Sequence, residues 1–150
     1  MKNHLWKPTR RALPVLALCI FCGAGAVAYG DAVVVVVNKS FPTDSMTQRE
    51  LKNIFEGRKA FTADNQRLKP LLLPKDSPAS TPFFKDVLGT SQSRFHRNWV
   101  AKLLSGKGSP PKKMKSQEDV IEEVQGNTSA IGYIEAAKAT RDIKILNIKK

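Results

Sequence analysis

The hydrophobic positions of the chain fall into two periods. Val33 to Val37, preceded by Ala32, is a continuous β-branched run with no polar face. It predicts a central strand covered on both sides, as in a parallel sheet. Asn38-Lys39-Ser40 ends the run and Phe41-Pro42 turns the chain. Thr47-Gln48-Arg49-Glu50 has the form of a capping box. The helix behind it places Leu51, Ile54 and Phe55 on one face and Arg49, Lys52 and Asn53 on the other, and Gly57 ends it. Strand then helix reads as the opening of a β-α-β unit. Residues 58–69 are polar, with a turn at Ala63-Asp64-Asn65, and 68–73 reads as a second core strand.

The chain is organised around residues 71–84, LLLPKDSPASTPFF. The apolar run Leu71-Leu72-Leu73 stops at Pro74, and Ser77-Pro78 offers an N-cap followed by a first helical position. Apolar residues at 83, 84, 87 and 88 and the stop at Gly89 predict a helix over 79–88. Free N–H groups at such a helix start attract anions. The hydroxyls of Ser77, Ser80 and Thr81 and the ammonium of Lys75 lie beside them. In an open α/β sheet, ligands bind beyond the carboxyl ends of strands, where this loop would sit.

Further on, 91–105 is predicted helical, with Phe95, Trp99, Val100, Leu103 and Leu104 on a broad apolar stripe, and Gly106 closes it. Residues 107–115 form a basic, Pro-containing loop. This loop is either solvated or a dock for anionic head groups, lipopolysaccharide or a partner protein. A cap-like start at Ser116 opens a helix with Val120, Ile121 and Val124 buried, stopped by Gly126-Asn127. Residues 130–134 read as a short strand whose Gly132 implies close packing against backbone or ligand. Residues 143–148 alternate, as in an edge or last strand.

Composition changes the picture at the N-terminus. Lys2, Lys7, Arg10 and Arg11 precede a small, apolar stretch at 12–25 and an Ala26-Val27-Ala28 cleavage site, the pattern of a secretory signal peptide. Residues 1–28 are thus expected to be removed, leaving 29–150 as one α/β domain. Both cysteines, Cys19 and Cys22, leave with it, so neither a disulfide nor a cysteine metal site is expected. The formal charge falls from +12 to +8 because the leader carries four basic residues and no acidic ones. That balance suits an exported, periplasmic protein among anionic solutes and polymers. Nucleic acid fits the charge but conflicts with export.

Catalytic chemistry is not encoded in any familiar form. The mature chain has one histidine, His96, within a helix, and Phe95 and Trp99 beside it are four apart, as core residues are. There is no G-x-S-x-G elbow, no P-loop and no G-x-G-x-x-G. No cofactor and no metal are expected, and the chain reads as non-enzymatic.

Several segments taken in order resemble the periplasmic phosphate-binding protein of the phosphate ABC transporter, specifically its second lobe. These are Val33–Asn38, Leu51-Lys52-Asn53-Ile54-Phe55-Glu56-Gly57, the loop before Phe84, and Ala130-Ile131-Gly132-Tyr133-Ile134. The likeness covers nearly all of 29–150. It implies a type 2 periplasmic-binding-protein-like lobe, with a mixed, mainly parallel sheet flanked by helices. The family's anion loop reads roughly R-x-D-G-S-G-T. Aligned on Asp76, this chain has Pro74 in the Arg slot, Ser77 and Pro78 in the Gly-Ser slots, Ala79 in the second Gly slot and Ser80 in the Thr slot. The resemblance therefore implies a phosphate or similar oxyanion ligand at Lys75, Ser77, Ala79, Ser80 and Thr81, with Asn38, Lys39 and Ser40 as second contributors. A membrane transporter or sensor complex is the implied partner. The alternative is an interaction module that binds a sensor or membrane complex and no small molecule.

Overall fold

The computed structural model describes residues 32–62, 65 and 67–150. The predicted leader and the boundary at residue 28 lie outside these, as do Ala63 and Asp64 of the predicted turn. Asn65, the third turn residue, sits at φ 58, a left-handed conformation that Asn tolerates.

Strands β1 (Val33–Asn38), β2 (Ser45–Thr47), β3 (Lys69–Leu72), β4 (Lys112–Lys113), β5 (Ala130–Glu135) and β6 (Ile143–Lys149) form one sheet in the order β2-β6-β1-β5-β3-β4. Helices α1 (Gln48–Phe55), α2 (Ser80–Pro82), α3 (Gln92–Leu104) and α4 (Gln117–Gly126) flank it. The fold is thus mixed α/β. Three of the five strand pairings are parallel: β2 with β6, β3 with β4 and β3 with β5.

The β-branched run is central, and Val35, Val36 and Val37 are buried together with Asn38, which ends the strand. Its direction differs from the expectation. β1 is antiparallel to both neighbours, β5 and β6. β5 separates it from β3, so the predicted β-α-β opening does not form. An all-apolar run reports burial on two faces and is silent about direction. β6 is last in sequence but interior, because the three-residue β2 covers its outer side. β4 forms within the basic segment, where two exposed lysines carry no periodicity.

Alternation along β5 assigns the two faces. Gly132 faces α4: a Cβ there would lie 2.6 Å from Val120 Cγ1 and 3.6 Å from Leu71 Cβ. Tyr133 faces the other layer, where its ring stacks on Phe83 at 3.7 Å and Phe83 meets Phe55 of α1 at 5.0 Å. Thr47 caps α1 with the predicted box: its Oγ1 accepts from the Glu50 amide, and its own amide donates to Glu50 Oε2 at 3.0 Å. That amide holds the Glu50 carboxyl below the usual carboxylate range.

The helix after the loop starts later than predicted. Ser77 does not cap it; the helix begins at Ser80, behind Ala79, and passes at once into a π-helical turn, Phe83–Val87. The Leu88 amide reaches Phe83 O at 2.9 Å, and the wider turn points Phe83 and Phe84 both inward. Gly89 ends it at φ 62.

α3 is capped by Ser91 and packs outside this layer through Phe95 on Phe84, at 5.0 Å. Trp99 lies on Gly57, and its Nε1 donates to Phe55 O at 3.1 Å. Lys102 sits 5.0 Å over the Trp99 ring and donates to Glu56 O. Only Phe95 and Trp99 of the predicted stripe are buried, on Phe84 and on the end of α1; Val100, Leu103 and Leu104 are exposed.

The Gly132 contact yields a direct test. Gly132→Ala forces a methyl against a fully buried valine, so it should lower unfolding stability by about 1–3 kcal/mol. Urea denaturation should show a lower midpoint with an unchanged slope.

Candidate functional site

The loop after β3 is set by one buried hydroxyl pair. Leu73 N–H donates to the Tyr133 hydroxyl oxygen at 3.2 Å. Ser80 Oγ lies 2.7 Å from Pro74 O and 3.2 Å from the Tyr133 hydroxyl. A carbonyl can only accept, so the serine proton goes to Pro74 O and the tyrosine proton must go to Ser80 Oγ. The chain of donors runs from the Leu73 amide through Tyr133 and Ser80 to Pro74, and every member is satisfied. Burial pushes the Tyr133 phenol above its ordinary value, partly offset by its bonds to Ser80 and Leu73.

This arrangement decides what each predicted ligand residue can do. Ser80 is fully buried and its proton is committed, and Ala79 is buried beside it. The Ser77 amide donates to Pro74 O at 3.1 Å and the Ser80 amide to Ser77 O at 2.9 Å, so both close the turn on itself. Lys75 and Thr81 are exposed and Ser77 is half-buried. Gln92 of α3 reaches the Lys75 carbonyl at 3.4 Å and brushes Thr81 Oγ1 at 3.5 Å.

The loop borders an open hollow of about 330 Å³. One wall is Pro74, Asp76, Ser77 and Pro78; the other is Lys115, Ser116, Gln117 and Glu118 at the start of α4, with Glu135 and Lys138 at the end of β5. Ser116 Oγ caps α4 by accepting from the Asp119 amide at 3.1 Å. Two carboxylates of the hollow are already bound: Glu118 pairs with Lys138 at 2.6 Å, and Glu135 accepts from Gln117 Nε2 at 2.6 Å. The Lys138 contact holds the Glu118 carboxyl below its usual range, and the same contact raises Lys138. The hollow is therefore mixed in charge, with Lys115 and the nearby Lys75 as its outlying cations. Lys115, Ser116 and Lys138 were not singled out from the sequence as ligand positions. A serine cap at 116 was legible, but its facing the β3 loop depends on α4 packing across β5.

Asn38, Lys39 and Ser40 do not join this site. β1 is antiparallel to β5 and β5 is parallel to β3, so β1 ends where β3 begins. Registers place Asn38 beside Ala130 and Pro74 beside Glu135, roughly 16 Å apart along the sheet. The expectation assumed that these strands ran the same way. Asn38 instead ties the last carbonyls of α4 to the sheet. Its Nδ2 donates to Val124 O at 2.9 Å and Gln125 O at 2.8 Å, and its Oδ1 accepts from the Ser40 amide.

No protein-family model matches the chain, and no curated protein matches it. Solved structures do share its fold. A protein from Clostridium perfringens, described as a phosphate ABC transporter substrate-binding protein and solved with bound phosphate, matches with a TM-score of 0.62 at 15% identity, over 77% of this chain and 44% of its own. An ABC-type phosphate transport receptor from Vibrio cholerae matches with a TM-score of 0.61 at 17% identity, over 79% and 46%. PstS from Borrelia burgdorferi gives 0.60 at 14%, over 79% and 47%. The chain thus spans less than half the length of these proteins, and at this identity the likeness is one of fold.

The hydroxyl chain predicts coupling. Ser80→Ala and Tyr133→Phe should each cost about 1–2 kcal/mol, and the double variant less than their sum, by at least about 0.5 kcal/mol. Folding also holds the Tyr133 proton above the ordinary 10.0, so this group's contribution is intact below pH 10 and fades as pH rises past it. Tyr133→Phe should therefore flatten the alkaline loss of stability; an unchanged alkaline limb in urea titrations would contradict this.

Proposed function

We propose that this protein is an exported, non-enzymatic, solute-binding-like lobe that takes phosphate or a similar oxyanion at the loop end of its sheet. The observation that carries the reading is the hollow itself: the β3 loop and the capped start of the ten-residue helix α4 face each other across it. Helix starts present N–H groups and a positive dipole end to an anion. Ser77, Lys115 and Ser116 line the hollow as donors, Lys75 and Thr81 are exposed on the neighbouring turn, and Ala79 and Ser80 shape that turn from beneath. The fold shared with phosphate-binding transport proteins supports the same class of ligand and a periplasmic setting, with an ABC transporter as the partner. Asp76, Glu118 and Glu135 oppose an anion, so affinity from this face alone should be modest, with a dissociation constant on the order of 1 mM.

A second reading has its own support. The amides of Ser77 and Ser80 and the hydroxyl of Ser80 are engaged within the turn. A loop so closed on itself also suits an interaction module that docks on a membrane or sensor complex and binds no small molecule.

Titration of the ¹⁵N-labelled protein with inorganic phosphate separates the two. Saturating shifts at Lys75, Ser77, Thr81 and residues 115–117, weakened severalfold in Lys75→Gln/Lys115→Gln, are expected; a flat titration to about 10 mM favours the interaction module. Export has an independent check. Mass spectrometry of the periplasmic fraction should find a chain beginning at Tyr29, and an intact residue 1–28 segment there would refute cleavage after Ala28.

A further inference from the structure

The outer face of α3 and the segment after it have no role in the loop site. From Val87 to Gln117 the sequence holds seven Lys or Arg residues and no Asp or Glu. In the same stretch, Val100, Leu103 and Leu104 stand 42%, 51% and 85% exposed, three large apolar side chains on one helix end. The helical period explains how they are displayed. Phe95 and Trp99 point inward, so Arg97, Val100, Ala101 and Leu104 point directly away from the protein, with Leu103 and His96 on the flank. Gly106, at φ 68, turns the chain, and the Lys107 amide closes on Lys102 O at 2.8 Å, placing Lys107 at the tip beside Leu104. Lys102 bonds the backbone carbonyl of Glu56, whose carboxylate is 6% exposed and paired with Arg58 at 2.9 Å; among the described residues, Arg97 and Lys107 form no ion pair.

We propose that the α3 tip is a docking surface for an anionic lipid bilayer. Leu103 and Leu104 enter the boundary between head groups and acyl chains, Val100 lies at the interface, and Arg97 and Lys107 bind lipid phosphates. Two features favour a bilayer over an acidic protein. The apolar side chains project from a convex helix end, and a fluid interface accepts such a projection without a preformed pocket. The cations surround them on long, flexible stems that can stay at head-group level while the leucines sink. This docking is independent of whether the β3 loop binds phosphate.

The test uses the chain from Tyr29 onward, the form expected after export, with vesicles of phosphatidylglycerol and phosphatidylcholine, against vesicles of phosphatidylcholine alone, read by sedimentation and by site-resolved hydrogen exchange. Without the basic, apolar leader, vesicle binding reports on the folded domain. Binding should require the anionic lipid and weaken with salt, and protection should appear over residues 97–107. Leu103→Ser/Leu104→Ser, both at exposed positions, should weaken binding about tenfold or more, and each of Arg97→Gln and Lys107→Gln about fivefold. Full-strength vesicle binding by the double leucine variant would overturn the proposal. So would capture of polyglutamate with no vesicle-dependent protection at 97–107, an outcome that assigns the tip to an acidic protein partner instead.

Discussion

The buried run of hydrogen bonds from the Leu73 amide through Tyr133 and Ser80 to the Pro74 carbonyl fixes the most consequential loop in the molecule. A phenol and a hydroxyl inside an apolar layer are costly unless every proton has a destination. Here each has one, and the geometry permits only one order of donation. The stacking of Phe83 on Tyr133 then seats the π-helical turn on the same ring. Strand end, turn and helix start are held by a single side chain from the neighbouring strand, so the loop cannot shift without disturbing the core.

That rigidity shapes what the loop offers a ligand. A turn whose amides at 77 and 80 close on its own carbonyls presents side chains rather than a nest of bare N–H groups. Pro78 removes a further donor. The positive character of this end of the sheet then depends on exposed lysines and on α4. Mixed charge in the hollow tempers it, since Lys138 is tied to Glu118. A site built this way favours loose, exchangeable association over sequestration.

The sequence made the layers and most helix boundaries legible because these follow from local rules. The Thr47–Glu50 box, the cap at Ser116 and the stops at Gly57 and Gly89 each depend on residues within four positions of one another. Gly132 was legible as a close approach, though not as an approach by Val120. Strand direction was not legible. Five consecutive valines satisfy a parallel and an antiparallel ladder alike, and the wrong choice carried Asn38, Lys39 and Ser40 to the wrong end of the sheet. Nor could the pattern show that Ser80 would be spent on Pro74, because that depends on a tyrosine 53 positions away. The stripe on α3 failed for a related reason: periodicity marks which residues share a face, and the extent of the opposing surface decides how many are covered.

The pairing of β1 with β6 has a consequence for how this unit can be used. Their antiparallel register sets Val33 level with Ile148, so the chain enters the domain and leaves it by adjoining strands at one end. A folded unit with such neighbouring portals can be spliced into a surface turn of a host protein without stretching either partner. The register that pairs Val33 with Glu135 also brings the β3 loop to this end of the sheet, so both portals adjoin the loop rather than the opposite edge.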